Sequence, residues 1–187
     1  LRETTAPVGY TAAELTWTVK IAAGKATIST PGGTTVTEVK NTSRLRLKLK
    51  VLGPLGEELP GAVLRVTRDN GSPMLYKTNE AGAALLEQMP AGDYIIQLAG
   101  TPTGYVPEDS APNLKAEYGT LTYLDTANTA WQLEQCEGEE YTYLLTLKLK
   151  ELHILPSTGG TGTVPFTLAG AALMAVAVLL PGRKKVK

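Results

Sequence analysis

The sequence predicts an all-β sandwich followed by one apolar membrane span, and three observations carry that prediction. Apolar and polar residues alternate with period two in several short runs. Turn-forming residues separate the runs at intervals of roughly 8–12 residues, the spacing of a sandwich. No long segment with a 3.6-residue apolar period occurs before Val164.

The elements follow in chain order. Leu15, Trp17, Val19 and Ile21 alternate as a strand, and Pro31-Gly32-Gly33 marks a turn. Leu45, Leu47, Leu49 and Val51 define a second alternating run. Asn70-Gly71 between Ala62–Arg68 and Met74–Thr78 is a hairpin signal, because a two-residue turn of left-handed residues matches strand twist. Pro107, Asp109, Pro112 and Asn113 predict a loop; Tyr118–Leu124 and Trp131–Leu133 predict extra strands. Tyr143, Leu145, Leu147 and Leu149 place the last strand over Tyr141–Lys150. Abundant Thr suits strands better than helices.

The chain has 187 residues, 43% of them hydrophobic, enough for a packed core. Its 18 Lys and Arg balance 18 Asp and Glu. Four of the bases (Arg183, Lys184, Lys185 and Lys187) lie in the last five residues, and no acid follows Glu151. The remainder holds 14 bases against 18 acids, a net charge of −4, which excludes a basic nucleic-acid-binding domain. One Cys and one His argue against a disulfide framework, a Cys-rich zinc site, a multi-His metal site or a His-based triad. No phosphate loop, catalytic carboxylate pair or metal-spaced ligand set stands out, so no cofactor is expected and the chain does not read as an enzyme. It starts at Leu1 and shows no signal peptide, which reads as a piece of a longer or processed protein.

The C-terminal end has three parts in order. Leu155-Pro156-Ser157-Thr158-Gly159 comes first, Val164–Leu180 is a 17-residue uncharged run, and Arg183–Lys187 is basic. A helix over that run would reach about 25 Å, the short limit for a bilayer core. The basic tail sets a cytoplasmic C-terminus, so everything before Thr163 lies outside. This arrangement resembles the cell-wall sorting signal of Gram-positive surface proteins. The resemblance implies that a sortase cysteine attacks the Thr158–Gly159 bond and passes the Thr158 carboxyl to an amine of a peptidoglycan precursor or of a pilin subunit. Residues 155–159 are then a substrate, Thr158 is the wall-attachment residue, and the membrane is a partner only before sorting. The expected location is the Gram-positive cell wall.

A diverged repeat runs through the preceding part. Glu3 stands four residues before Pro7-Val8-Gly9-Tyr10, and Leu98 four before Pro102-Thr103-Gly104-Tyr105. Glu3-Thr4-Thr5-Ala6-Pro7-Val8-Gly9-Tyr10 resembles the E-box of Cna B-type domains, found in SpaA-like pilins and collagen-adhesin stalks. Gly56-Glu57-Glu58-Leu59-Pro60-Gly61-Ala62 and the stretch from Gly82 to Gly92-Asp93-Tyr94 resemble two further motifs of that family. The resemblance implies a prealbumin-like, Ig-like β-sandwich at residues 44–152, preceded by the C-terminal part of another such domain at 1–43. A linker carrying the sorting motif (153–163), a transmembrane helix (164–180) and a basic cytoplasmic tail (181–187) complete the expected organisation. Its implied role is structural: a pilin-like or adhesin stalk. The alternatives are the stalk of a wall-anchored enzyme, or an adhesin that binds a host surface ligand through an insertion at 106–135.

Many such domains carry a Lys–Asn isopeptide bond, with the E-box Glu moving protons. Burial favours the neutral amine and the protonated acid, the forms the reaction needs. By this resemblance Glu3 is the E-box acid and Asn41 the amide of the first domain, with the Lys lying upstream of Leu1. The second domain departs from the pattern. Val51 occupies the Lys position and Leu98 the Glu position, and no Asn or Asp follows Asn128. Replacing a whole buried polar set by hydrophobes can be neutral, whereas breaking it singly is costly. The second sandwich is therefore expected to be held by packing alone. Lys48 and Lys50 alternate onto the opposite face and are expected in solvent. Cys136 is expected to be a reduced thiol, His153 exposed, and Glu137, Glu139 and Glu140 a solvated acidic turn.

Overall fold

The computed structural model describes residues 1–124 and 130–153. The sorting pentapeptide Leu155–Gly159, the span at 164–180 and the basic tail at 181–187 lie outside the described residues. Among the described residues no helix is long and apolar enough to cross a membrane. Residues 1–152 form one compact unit.

Alternation in the second run becomes a buried face. Leu45, Leu47, Leu49 and Val51 are at most 2% exposed, and Arg46–Leu52 is a strand. In chain order the strands are β1 (Tyr10–Thr11), β2 (Thr18–Ala22), β3 (Lys25–Ser29), β4 (Thr42–Ser43), β5 (Arg46–Leu52), β6 (Val63–Arg68) and β7 (Met74–Lys77). They continue with β8 (Ala83–Leu86), β9 (Gly92–Gly100), β10 (Asn113–Glu117), β11 (Thr120–Tyr123), β12 (Trp131–Gln135) and β13 (Thr142–Lys148). A five-stranded sheet in the order β11-β10-β9-β6-β7 faces a four-stranded sheet in the order β12-β13-β5-β8. The first interior layer is Leu47, Leu49, Leu145 and Leu147 and the second Leu64, Ile96 and Leu114, all 0% exposed. Each such side chain contributes about 1.5–3 kcal/mol of burial.

Within the four-stranded sheet, β5 and β13 run parallel, with Leu47 opposite Tyr143, Leu49 opposite Leu145 and Val51 opposite Leu147. The two strands that open and close the sandwich are therefore neighbours. The predicted hairpin is present: β6 pairs with β7, and Asp69 and Asn70 both take left-handed backbone angles (φ 48° and 57°). The insertion builds sheet rather than loop. β10 and β11 extend the five-stranded sheet beyond β9, and β12 adds an edge to the other sheet beside β13. Asn113, expected in a loop, begins β10, and Tyr118, expected in a strand, lies in the β10–β11 turn.

The N-terminal segment departs from expectation. Trp17 is buried at 4%, but Leu15, Val19 and Ile21 are 53%, 44% and 75% exposed. The reason is that β2 pairs with β3 in a two-stranded ribbon, and a ribbon has no second layer to cover its apolar face. β1 pairs with β4 through Tyr10–Ser43 and Thr11–Thr42.

The repeated Pro-x-Gly-Tyr turn forms twice with the same bonds. The Tyr10 N–H donates to the Pro7 carbonyl, the Arg44 N–H to Gly9, and Tyr10 lies opposite Ser43. In the second copy the Tyr105 N–H donates to Pro102, the Leu152 N–H to Gly104, and Tyr105 bridges to Glu151.

Candidate functional site

The sequence singles out Glu3 and Asn41, and local backbone pairing brings both to one place. The bridge between Arg2 and Thr16 and the Trp17 N–H bond to the Leu1 carbonyl (2.7 Å) hold the first residues against the 13–17 stretch. The turn at Pro7–Tyr10 then returns the chain to β4, and Asn41 immediately precedes β4. Glu3 Oε1 accepts a hydrogen bond from Asn41 Nδ2 at 2.8 Å, and Glu3 Oε2 accepts one from the Ala13 N–H at 2.9 Å. Both side chains are half-buried. Asn41 Oδ1 is enclosed and has no hydrogen-bond partner among the described residues. A cleft of about 430 Å³, lined by Arg2, Glu3, Thr11, Ala13 and Glu14, opens beside the acid.

This arrangement leaves a carboxamide whose carbonyl oxygen lacks a donor and whose NH₂ already rests on a carboxylate. A carboxyl group held against a carboxamide in this way is within reach to exchange protons with it if an amine attacks. Lys20, Lys25 and Lys40 are solvent-exposed.

The corresponding positions of the sandwich have no polar chemistry. Val51 is 0% exposed and lies opposite Leu147, also 0% exposed, on the last strand. Leu98 sits on β9 opposite Leu64 and packs against the core. Lys48 and Lys50 do lie on the opposite face, but both are paired rather than free. Lys48 Nζ is 2.6 Å from Glu139, and Lys50 Nζ is 3.0 Å from Glu58. The hydrogen bond from Lys48 holds the Glu139 carboxyl below its ordinary pKa, and the same bond raises that of Lys48. The turn expected to be merely solvated thus carries two ion pairs, the second between Glu140 and Arg44 at 3.3 Å. Cys136 is a free thiol, half-buried, and His153 is exposed. Among the described residues no group of His, Cys, Asp or Glu is placed to hold a metal ion.

Toward the C-terminus the chain stays bonded to the sandwich through Leu152, whose N–H donates to the Gly104 carbonyl at 2.8 Å. Leu155, the first residue of the sorting pentapeptide, comes three positions later.

The SpaA family of prealbumin-like fold domains matches residues 49–129. The LPXTG cell wall anchor motif family matches residues 152–187. Strand β13 lies beyond the first match, although it completes the sandwich. Among solved structures, the C-terminal fragment of the pilus adhesin SpaC from Lactobacillus rhamnosus GG is 14% identical with a TM-score of 0.53, covering 83% of this chain and 76% of that one. The open conformation of the same adhesin is 15% identical with a TM-score of 0.53, over 83% of this chain and 25% of that one. The chain therefore spans about a quarter of the whole adhesin. At these identities the likeness shows a shared fold. No curated protein matches the chain. One polypeptide thus carries a SpaA-type prealbumin-like fold domain and an LPXTG cell wall anchor, the makeup of a surface protein anchored to the Gram-positive cell wall.

Proposed function

We propose that the chain works as a mechanical stalk, not an enzyme, carrying what precedes it away from the envelope while covalently held through Thr158. The observation that carries this reading is the ordered C-terminal signal: pentapeptide, uncharged run and basic tail, matched as a whole by the anchor family. A sortase thiolate attacks the Thr158 carbonyl carbon, and the Gly159 nitrogen leaves with a proton. An amine of a peptidoglycan precursor or a pilin subunit then displaces the thiol. The membrane is a partner only before this exchange. Mature protein released from walls by muramidase should end at Thr158 with wall peptide or a neighbouring subunit attached. Recovery of chains that still contain residues 164–187 and carry no such adduct would overturn the reading.

The Glu3–Asn41 pair supports a second element of the same role. In this proposal a lysine from a segment preceding Leu1 enters the cleft, and its neutral Nζ attacks Asn41 Cγ. Ammonia leaves, and Glu3 moves the proton. The buried, donorless Asn41 Oδ1 supports it. In the parent protein, a peptide spanning Asn41 should be recovered crosslinked to a lysine peptide, and Glu3→Ala should abolish that product.

A further inference from the structure

We propose that the β10–β11 hairpin is a joint surface whose partner is the N-terminal segment of the same chain, and that it fixes the angle between residues 1–43 and the sandwich. The two copies of the Pro-x-Gly-Tyr turn share their bonding pattern and nearly share their backbone, with Gly9 at φ +83° and Gly104 at φ +91°. Their surroundings differ. A Cβ built on Gly104 would meet nothing within 4 Å, whereas one built on Gly9 would overlap the backbone N and Cα of Gly119. Gly119 is the second residue of the Tyr118-Gly119 turn joining β10 to β11 (φ 49° and 76°). A Cβ there would lie 2.7 Å from Gly9 Cα and 2.5 Å from the Tyr141 ring. Left-handed backbone alone explains glycine at any of these positions. It does not explain why two glycines meet, backbone to backbone, across the gap between the segment and the sandwich.

Independent contacts close the other side of the joint. The Arg44 guanidinium lies 4.6 Å over the Tyr141 ring and 3.3 Å from Glu140. The Arg44 N–H bonds the Gly9 carbonyl, and the Arg46 N–H bonds the Tyr141 carbonyl, each at 2.8 Å. Only Arg44 and Leu45 separate β4 from β5, and Leu45 is itself in the core at 2% exposure. The connection thus has no free residue to act as a hinge. A polar cleft of about 590 Å³ lined by Thr11, Thr42, Arg46 and Glu139 flanks the contact. The glycine contact and the Arg44 stack are the features placed to set the angle. The insertion that supplies this hairpin is occupied by the chain's own preceding segment.

Double electron–electron resonance on the full chain in detergent micelles tests the joint. Spin labels go on Lys25→Cys and Glu80→Cys, both exposed, in a Cys136→Ser background. The parent should give one narrow distance distribution. Gly9→Val should broaden or shift it, while Gly104→Val, with the same backbone strain and no facing neighbour, should leave it unchanged. Should Gly9→Val unfold the N-terminal segment, seen as loss of Trp17 burial, Gly119→Val carries the same test from the sandwich side. A broad distribution in the parent overturns the proposal. So does a folded Gly9→Val or Gly119→Val chain indistinguishable from Gly104→Val.

Discussion

Asn41 gives an amide hydrogen to Glu3 while its carbonyl oxygen is enclosed without a donor. Removing the acid therefore harms two groups at once, the Asn41 amide and the Ala13 N–H. Glu3→Ala should destabilise the N-terminal segment by about 1–3 kcal/mol, the cost of leaving half-buried donors unpaired. Denaturant unfolding followed by Trp17 fluorescence in a Trp131→Phe background measures it. Tyr123 shows the opposite case. Its hydroxyl is buried without a partner among the described residues, and burial raises its pKa. Tyr123→Phe removes that hydroxyl and should raise stability by up to about 1 kcal/mol, read as a higher melting temperature. The repeated Pro-x-Gly-Tyr frame singles out Glu3 and the family resemblance singles out Asn41; the hydrogen bond between them comes from the fold. The Ala13 N–H was not legible, since nothing in an alanine advertises its backbone. The ion pairs of Lys48 and Lys50 were also hidden: alternation puts both lysines on the outer face but does not name Glu139 or Glu58 across it.

Strands were readable where one face is buried. The runs 45–51 and 143–149 became β5 and β13 because period-two burial writes itself into sequence. Their partnership was not readable, for alternation specifies a face and is silent on the neighbour. The 15–21 run misled for a related reason: it has the pattern of a covered strand, but β2 lies in a ribbon with no second layer. β10 is concealed by Pro112, which immediately precedes it, and by Asn113, which looks like loop and instead starts the strand. At this scale the apolar set of Val51, Leu98 and Leu147 makes a firm prediction. Val51→Lys would bury an ammonium with no partner and should cost at least about 3 kcal/mol in chemical denaturation. The intact mass of that variant should show no loss of ammonia, because β13 offers no amide for it to attack.

For the molecule as a whole, acid should weaken the sandwich in part through Glu139. Its folded pKa is lowered by Lys48, so its contribution is present above the ordinary carboxylate value and fades as pH falls through the lowered one. Lys48, with a raised folded pKa, contributes fully below its ordinary value and loses that contribution as pH rises through the raised one. Lys48→Met should therefore show a smaller drop in melting temperature than the parent between neutral and strongly acidic pH. Pulled from its two ends, the 44–152 sandwich should lengthen, since only the β5–β13 hydrogen-bond ladder and core packing, with no covalent link, join its first and last strands; a sandwich that refuses to extend at forces unfolding ordinary ones would contradict this. The geometry also says how it would yield. Chain tension arrives at the Arg46 end of β5 and departs at the Lys148 end of β13, and these are opposite ends of one parallel overlap seven residues long. Load is then shared in shear by every rung simultaneously instead of peeling them one by one. The sandwich should consequently behave as a stiff fuse that gives way abruptly, not as a soft spring.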